Sequence, residues 1–552
     1  MATAPDAPDA AGRNGVSRAL VSRLLTAAAY LHPVGPIRLV ETHISWVFLT
    51  GEYVYKVKKP VDLGFLDFST LDRRRHSCAE EVRLNRRFAP DLYLDAVPIT
   101  GAAATATVGG TGAPVEWAVR LRQFDEEARL DRVLDRGELD GPGCAELAAE
   151  LARVQERLEV ADPGTPWGTP AAVAAAIDDT LGHLRRHRPD ARERIDAVGR
   201  RMHERLDGCR AAIEARRRAG RVRQCHGDLH LANLVRHEGR FLAFDALEFS
   251  DTLRWIDVAS DLAFLTMDLE SRGRPDLAAA VTSGWIEASG DHDALRVLPL
   301  YRAYRAVVRA AVAAIRGAQA AGEAGADART SMAESAAECD RYLALAERLV
   351  ADRRPVMVAT CGVSGSGKTT LAGAVAAGLG GIRLRSDVER KRAAGMAPTE
   401  RPADAAATAA LYSDTTTERT YARLADLARL ALDSGTSVVV DAACNRRADR
   451  RTLAAAATGA GMPFVWLALD VSEAEVLARV ARRHADGQDA SDATADVVRR
   501  QFATREPLEA AECGGGASGV GRERLLRVSA QEQADVAGVL RQVRSLSGLA
   551  AG

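Results

Sequence analysis

Residues 36–57 alternate apolar and polar side chains and carry several aromatics, the period-two pattern of strands buried on one face. Helical periodicity follows from about Ser69 to Phe88, opened by a Ser-Thr pair suited to capping, and alternation returns from Val115 to Phe124. Helices then dominate from Gly143 to Gly220. A short strand-and-loop stretch from Arg221 to Asp251 interrupts them before helices fill Asp257 to Val350, where Leu and Val recur at helical spacing among alanines, as in VVRAAVAAI. AAGEAGADA, at 320–328, reads as a helix connection. Beyond residue 355 the rhythm changes. A strand at Val356 to Thr360 is followed by a helix, then by strands at IRLRSD, SVVVDA, FVWLALD and LLRVSA with helices between them. That alternation predicts right-handed crossovers and a parallel sheet covered on both faces, with substrates gathering at the carboxyl ends of its strands. The pattern as a whole predicts an α+β domain followed by an α/β domain.

The charged, proline-bearing stretch Ala351 to Pro355 marks the boundary. We expect domains over 16–350 and 351–552, behind a disordered tail of Pro, Ala and Asp over 1–15. A chain of 552 residues has room for three or four average domains or for two large ones, and 47% hydrophobic residues supply their cores. A net charge of −1 gives no footing for a nucleic-acid or membrane partner, and the runs Arg73 to Arg75 and Arg216 to Arg218 read as solvated helix faces. Eight scattered cysteines without a C-x-x-C indicate neither a zinc site nor a disulfide framework. The first residues lack the basic-then-apolar order of a signal peptide, and no run reaches membrane-spanning length, so a soluble, cytoplasmic protein is expected.

Lysine changes the picture. Only five of the 74 basic residues are lysine, at Lys56, Lys58, Lys59, Lys368 and Lys391. Elsewhere the chain writes arginine, and a compact ammonium differs most from a guanidinium where phosphate is handled. Lys58, Lys59 and Lys391 taken alone read as chance survivors. Lys368 lies in Gly362-Val363-Ser364-Gly365-Ser366-Gly367-Lys368-Thr369, followed by Thr370, between a strand and a helix. There the pattern G-x-x-x-x-G-K-[ST] is a phosphate-binding loop: the glycines bring backbone N–H groups close to phosphate oxygens, Lys368 reaches the β and γ phosphates, and the Thr369 hydroxyl ligates Mg²⁺.

A second motif, Cys225-His-Gly-Asp-Leu-His-Leu-Ala-Asn233, places Asp228 five residues before Asn233. That is the spacing at which a kinase catalytic loop puts a carboxylate on the acceptor hydroxyl and an amide on Mg²⁺. The hydrophobic run Phe241 to Phe244 then ends in Asp245, where a second Mg²⁺ ligand is needed. These residues resemble the aminoglycoside phosphotransferase family, which has a protein-kinase-like fold, over roughly residues 35–350. The resemblance implies that Asp228 is the catalytic base, that Asn233 and Asp245 hold the metal, and that His226 and His230 order the loop. It further implies that Lys56 on YVYKV holds the α and β phosphates and pairs with Glu81, whose helix face carries Leu84 and Phe88; Glu80 is the alternative partner. Asp257 and Asp261 match a structural helix start, and backbone near Leu121 to Gln123 matches the adenine hinge. No glycine-rich loop precedes Lys56, the metal strand continues as Asp-Ala-Leu-Glu248, and no concentrated acidic segment suits a polycationic acceptor.

Residues 355–550 resemble the small-molecule P-loop kinases, a group with gluconate-kinase-like enzymes and zeta toxins. The resemblance implies a catalytic Asp387 facing the acceptor, for which a helix cap by Ser386 or Asp387 is the structural alternative. Asp441, closing SVVVDA, would hold the Mg²⁺ hydration shell, and Arg479, Arg482 and Arg483 would belong to a lid. Arg390 and Lys391 read either as acceptor contacts or as surface residues. Together the two resemblances imply a kinase with two nucleotide sites, using ATP and Mg²⁺ on hydroxyl groups of small molecules. The alternatives are one catalytic and one nucleotide-sensing domain, or an ATP-binding switch. Oligomeric state and acceptor identity are left open.

Overall fold

A computed structural model describes residues 18–42, 44–62, 66–321, 326–486, 495–509, 512 and 523–549. The chain forms two compact units: one of Met1–Glu138, Leu158–Ala161 and Val222–Ile256, the other of Leu139–Arg157, Asp162–Arg221 and Asp257–Gly552. This grouping differs from a single cut at residue 350.

The first unit is built on a six-stranded antiparallel sheet of order β1-β2-β3-β6-β4-β5. Its strands are β1 (Arg38–Glu41), β2 (Ser45–Leu49), β3 (Tyr53–Lys58), β4 (Tyr93–Thr100), β5 (Thr107–Val108) and β6 (Pro114–Arg122). Side chains alternate across β3. Tyr55 and Val57 enter a core with Phe48, Ile99 and Ala118, while Val54 enters another with Cys78, Val82, Tyr93 and Leu121. Lys56 and Lys58 share the parity of Val54 and therefore face α1 (Leu71–Asn85), which Thr70 caps by accepting from the Arg73 N–H. After the helix α1 the sequence pattern gave no strand at β4, because Pro98 interrupts the run. The structure accommodates Pro98 beside β5, which has only two residues and bonds Ile99 and Thr100 alone. The unit is completed by β7 (Val222–Gln224), the hairpin β8 (Leu234–His237) and β9 (Arg240–Ala243), and the first two residues of β10 (Trp255–Asp257).

In the second unit, helices α2 (Gly141–Glu156), α3 (Pro170–His187), α4 (Arg192–Arg218), α5 (Val258–Ser271), α6 (Pro275–Ser289), α7 (Leu298–Ala321) and α8 (Ala326–Val350) lead to a parallel five-stranded sheet. Its strands are β11 (Met357–Cys361), β12 (Ile382–Arg385), β13 (Val438–Asp441), β14 (Phe464–Asp470) and β15 (Glu523–Ser529), in the order β12-β13-β11-β14-β15. The crossovers carry α9 (Lys368–Gly378), α10 (Ser386–Ala393), α11 (Asp414–Asp433), α12 (Arg447–Ala460), α13 (Glu473–Asp486) and α14 (Ala495–Thr504), and α15 (Val536–Ser547) closes the chain. All five residues of β11 are buried, as a central parallel strand requires. Val358, Leu371, Val375, Val439, Val465 and Val528 form the core between sheet and helices.

Two arginine runs correct the solvated-face expectation. Three successive helical residues point about 100° apart, so one of them turns inward. Arg74 is buried against Glu116, and Arg216 is buried between Asp257 and Asp291. Asp257 also caps α5, so the Asp257 helix start is structural, as expected. Among the described residues no helix is long and apolar enough to cross a membrane.

Candidate functional site

In the first unit, β3, α1 and the loop after β9 bring five charged side chains together. Lys56 Nζ donates to Glu81 Oε1 at 3.0 Å and to Asp245 Oδ1 at 2.5 Å. Lys58 donates to the other oxygen of Glu81 and to Glu248 Oε1. One buried carboxylate thus joins two lysines, each of which reaches a further acid. Burial works against the Lys58 charge, but Glu248 and Glu81 outweigh it and hold its pKa up. At Asp245 burial likewise favours the neutral form, and the Lys56 ammonium overcomes it, keeping the carboxyl below the usual aspartate range. Burial pushes Glu248 up, against the pull of Lys58. Glu80 instead pairs with Arg83 at the surface, so Glu81 is the helix's contribution to the cluster.

The catalytic-loop motif lies between β7 and β8. Gly227 has φ +86°, and a Cβ there would meet Leu253 O at 2.8 Å, so only glycine fits. His226 Nδ1 accepts from the Asp228 N–H at 3.3 Å, which leaves Nε2 to donate to Phe244 O at 2.9 Å. Its ring also meets Phe88 edge-on. Asn233 Nδ2 donates to Asp228 O and Oδ2 at 3.0 and 3.2 Å, so its Oδ1 remains as the acceptor, and His230 Nε2 is 3.4 Å from Asp228 Oδ2. Asp245 takes a left-handed φ of 63°. Its N–H donates to Tyr93 Oη, and the next N–H donates to Asn85 Oδ1 on α1. Ahead of β2, Thr42 Oγ1 accepts from Ser45 N, and between β2 and β3 Gln123 Oε1 accepts from Gly51 N.

Sequence reasoning missed four members of this site. Lys58, read as a chance survivor, is fully buried in the charge cluster, and Glu248, Asn85 and Tyr93 were given no definite part. The spacing of Lys56 and Lys58, two apart on one strand face, was the available signal.

In the second unit the P-loop leaves β11 where its neighbours β13 and β14 lie on opposite sides, the switch point at which a crevice opens in such sheets. Gly365 has φ +85° and lies against α13, where a Cβ would meet Val480 at 2.7 Å. Gly367 has φ +96°, and a Cβ there would strike Gln533. Lys368 Nζ folds back onto Val363 O at 2.7 Å. Burial lowers its pKa, against the pull of Asp441 and Asp387. Gln501 of α14 accepts from the Ser364 N–H at 2.7 Å, and Arg479 Nη1 donates to Ser366 O at 3.0 Å. The Arg482 and Arg483 side chains lie outside the described residues. Asp387 stands in the first turn of α10, whose N-cap is Arg385; neither Ser386 nor Asp387 caps the helix. Burial raises the Asp387 carboxyl above its ordinary range. Asp441 is buried at the end of β13, with Arg385 Nε at 3.9 Å. Arg390 and Lys391 are buried rather than surface residues, and Arg390 donates to Leu411 O and Thr417 Oγ1.

Among the described residues no three His, Cys, Asp or Glu side chains form a ready metal cage. The donors expected from the sequence are instead one carboxylate and one neutral oxygen for each site: Asp245 and Asn233 Oδ1 in the first, Asp441 and the Thr369 hydroxyl in the second. Magnesium accepts that donor set when nucleotide phosphates complete its shell, and the Lys56 ammonium already marks Asp245 as a cation position.

Comparison with known proteins finds one family match around each of the two motifs. A phosphotransferase enzyme family model matches residues 51–298, and an AAA-domain model matches residues 357–508. Over 480 residues the chain is 33% identical to uncharacterized proteins of Mycobacterium tuberculosis (Rv2004c) and Mycobacterium bovis (Mb2027c), covering 85% of this chain and 90% of theirs. The chain belongs to their family. This chain joins an amino-terminal phosphotransferase-type domain to a carboxyl-terminal P-loop domain. Among solved structures, a gluconokinase from Sinorhizobium meliloti covers 36% of this chain and 95% of itself at 23% identity and TM-score 0.24. A choline/ethanolamine kinase family protein from Mesorhizobium loti covers 60% of this chain and 99% of itself at 13% identity and TM-score 0.34.

Proposed function

We propose that this family member is an ATP-dependent phosphotransferase with two nucleotide sites, each passing the γ-phosphate to a hydroxyl group of a small molecule. The observation that carries the reading is the first-unit cluster. Lys56 is held between Glu81 and Asp245, and Asp228 shares its oxygen with Asn233. In this reading Lys56, released from Asp245, meets the α and β phosphates while Glu81 keeps it oriented. Asp228 takes the acceptor proton, and Asn233 and Asp245 hold Mg²⁺. In the second unit Gly362 to Thr370 cradle the phosphates, Lys368 leaves Val363 O for the β and γ phosphates, and Asp387 takes the acceptor proton. Its raised pKa supports that role, since a general base works best near the operating pH. Thr369 and Asp441 hold the second Mg²⁺, and Arg479 lies over the loop. When bound, magnesium neutralises charge that gathers on the phosphate oxygens.

The test separates binding from transfer. Asp228→Asn is expected to keep nucleotide binding and lose transfer by about 10²-fold or more. Asp245→Asn should instead weaken Mg²⁺-dependent nucleotide binding. Calorimetric titration of Mg-ATP, with transfer followed in a screen of small hydroxyl metabolites, checks both. If the wild type binds ATP and neither variant changes anything, the first domain senses nucleotide without using it.

A further inference from the structure

Four successive backbone N–H groups run through the turn that carries Asp245, and each has its own acceptor. The outer two donate to backbone oxygens of the catalytic loop, Phe244 to Asn233 O at 3.0 Å and Leu247 to His226 O at 3.1 Å. The inner two are taken by side chains of other elements. Asp245 donates to Tyr93 Oη of β4 at 3.0 Å, and Ala246 donates to Asn85 Oδ1 of α1 at 2.8 Å. The ladder between β8 and β9 ends at Ala243, so these two groups need acceptors from elsewhere.

Neither acceptor is easily replaced. Asn85 and Ala246 are 0% exposed and Tyr93 is 1% exposed, so solvent cannot take over a lost bond. The Asn85 amide cannot turn round either: its Nδ2 donates to Glu81 O at 2.9 Å and, at 3.5 Å, to Ala246 O, which leaves Oδ1 for the N–H. The Asp245 side chain is more open, at 46% exposed, and Lys56 holds it. In the reading above Lys56 leaves Asp245 for the α and β phosphates. From then on the direction of the carboxylate rests on the left-handed backbone beneath it, at φ 63°.

We propose that Asn85 and Tyr93 are positioning residues of the first site: by holding the Ala246 and Asp245 N–H groups they fix the turn that aims the Asp245 carboxylate, and so set the Mg²⁺ affinity there. The proposal rests on the reading of Asp245 as a magnesium ligand. Asn85 lies one turn beyond Glu81, so α1 holds the phosphate lysine with one side chain and the metal-binding turn with the next. Without either acceptor a buried N–H is left unpaired, the turn shifts to find another partner, and the carboxylate moves with it. Such outer partners of metal ligands are typically worth about 10- to 100-fold in metal affinity.

The test uses the full chain and a fluorescent ATP analogue, and assigns to the first site the part of the signal lost in Lys56→Ala. The Mg²⁺ concentration giving half of that signal is then measured. Asn85→Leu, close in size but without an acceptor, is expected to raise it on the order of 10-fold, with little change in binding when Mg²⁺ is absent. Tyr93→Phe, which removes only the hydroxyl, should raise it in the same way, and it decides the question if the Asn85 variant does not fold. A merely structural role would lower binding with and without Mg²⁺ alike. That result, or an unchanged Mg²⁺ dependence in either folded variant while Asp245→Asn loses it, overturns the proposal alone. A signal untouched by Lys56→Ala, or a Mg²⁺ dependence that survives Asp245→Asn, overturns the site reading and the proposal with it.

Discussion

Lys58 has no exposed surface, and its partners Glu81 and Glu248 are buried with it. Removing the ammonium leaves two carboxylates in a site that cannot solvate them. Lys58→Met is therefore expected to lower the unfolding free energy by about 3–5 kcal/mol, the usual effect of breaking a buried pair from one side. Urea titration measures it, and adding Glu248→Gln should recover part of the loss. Asp387 is the converse case. Its pKa is raised by burial, so its stabilising contribution is complete below the ordinary aspartate range and is lost as pH rises through the raised value. Asp387→Asn should stabilise the chain at neutral pH by about 1 kcal/mol while ending transfer at the P-loop site, and the stability difference should vanish on acidification. At this scale, what could be read in advance was local chemistry. Gly362 to Thr369 and Asp228 to Asn233 declare themselves because each is a fixed spacing of residues close together in the chain. Lys58, Asn85, Tyr93 and Glu248 meet only through tertiary pairing, as with the 190 positions between Lys58 and Glu248, and no local period records that.

The elements show the same division. The parallel sheet was legible because buried strands are continuous apolar runs, and the helices because their period is strong. β4 was not, since Pro98 argues against a strand until its short neighbour β5 is seen. Equally invisible was the engagement of α14 with the P-loop, in which the Gln501 carboxamide sits on a backbone N–H of the phosphate cradle. A nucleotide phosphate that claims the Ser364 N–H has to displace that oxygen. Gln501→Ala should therefore tighten nucleotide binding at this site by about 1 kcal/mol, roughly fivefold, the net worth of one hydrogen bond. Titration of Mg-ADP into the Gln501 variant and the wild type compares them directly. Weaker binding in the variant would make Gln501 a ligand contact.

For the whole molecule, the two family matches end and begin on either side of residue 350, yet the compact unit holding the P-loop sheet also includes the helices that precede it. We propose that 16–350 and 351–552 each fold alone. Each should unfold cooperatively, but 351–552 should melt below the same domain in the full chain, because the β12 edge loses α6, whose Ser283 Oγ accepts from the Arg383 N–H and whose Glu287 carboxylate accepts from the Arg383 and Arg385 side chains. Calorimetry of both fragments and the intact chain tests this. The absence of a cooperative transition in either fragment would place the boundary elsewhere.

The covering of β12 by α6 also bears on how such chains can recombine. A crossover at residue 350 that brings in a relative's P-loop half transfers Arg383 and Arg385 without the helix that restrains them. Such a chimera inherits whatever side chains its new amino-terminal half carries at positions 283 and 287. Exchange is then neutral only between parents that agree at those two positions, and they should vary together with 383 and 385 across lineages.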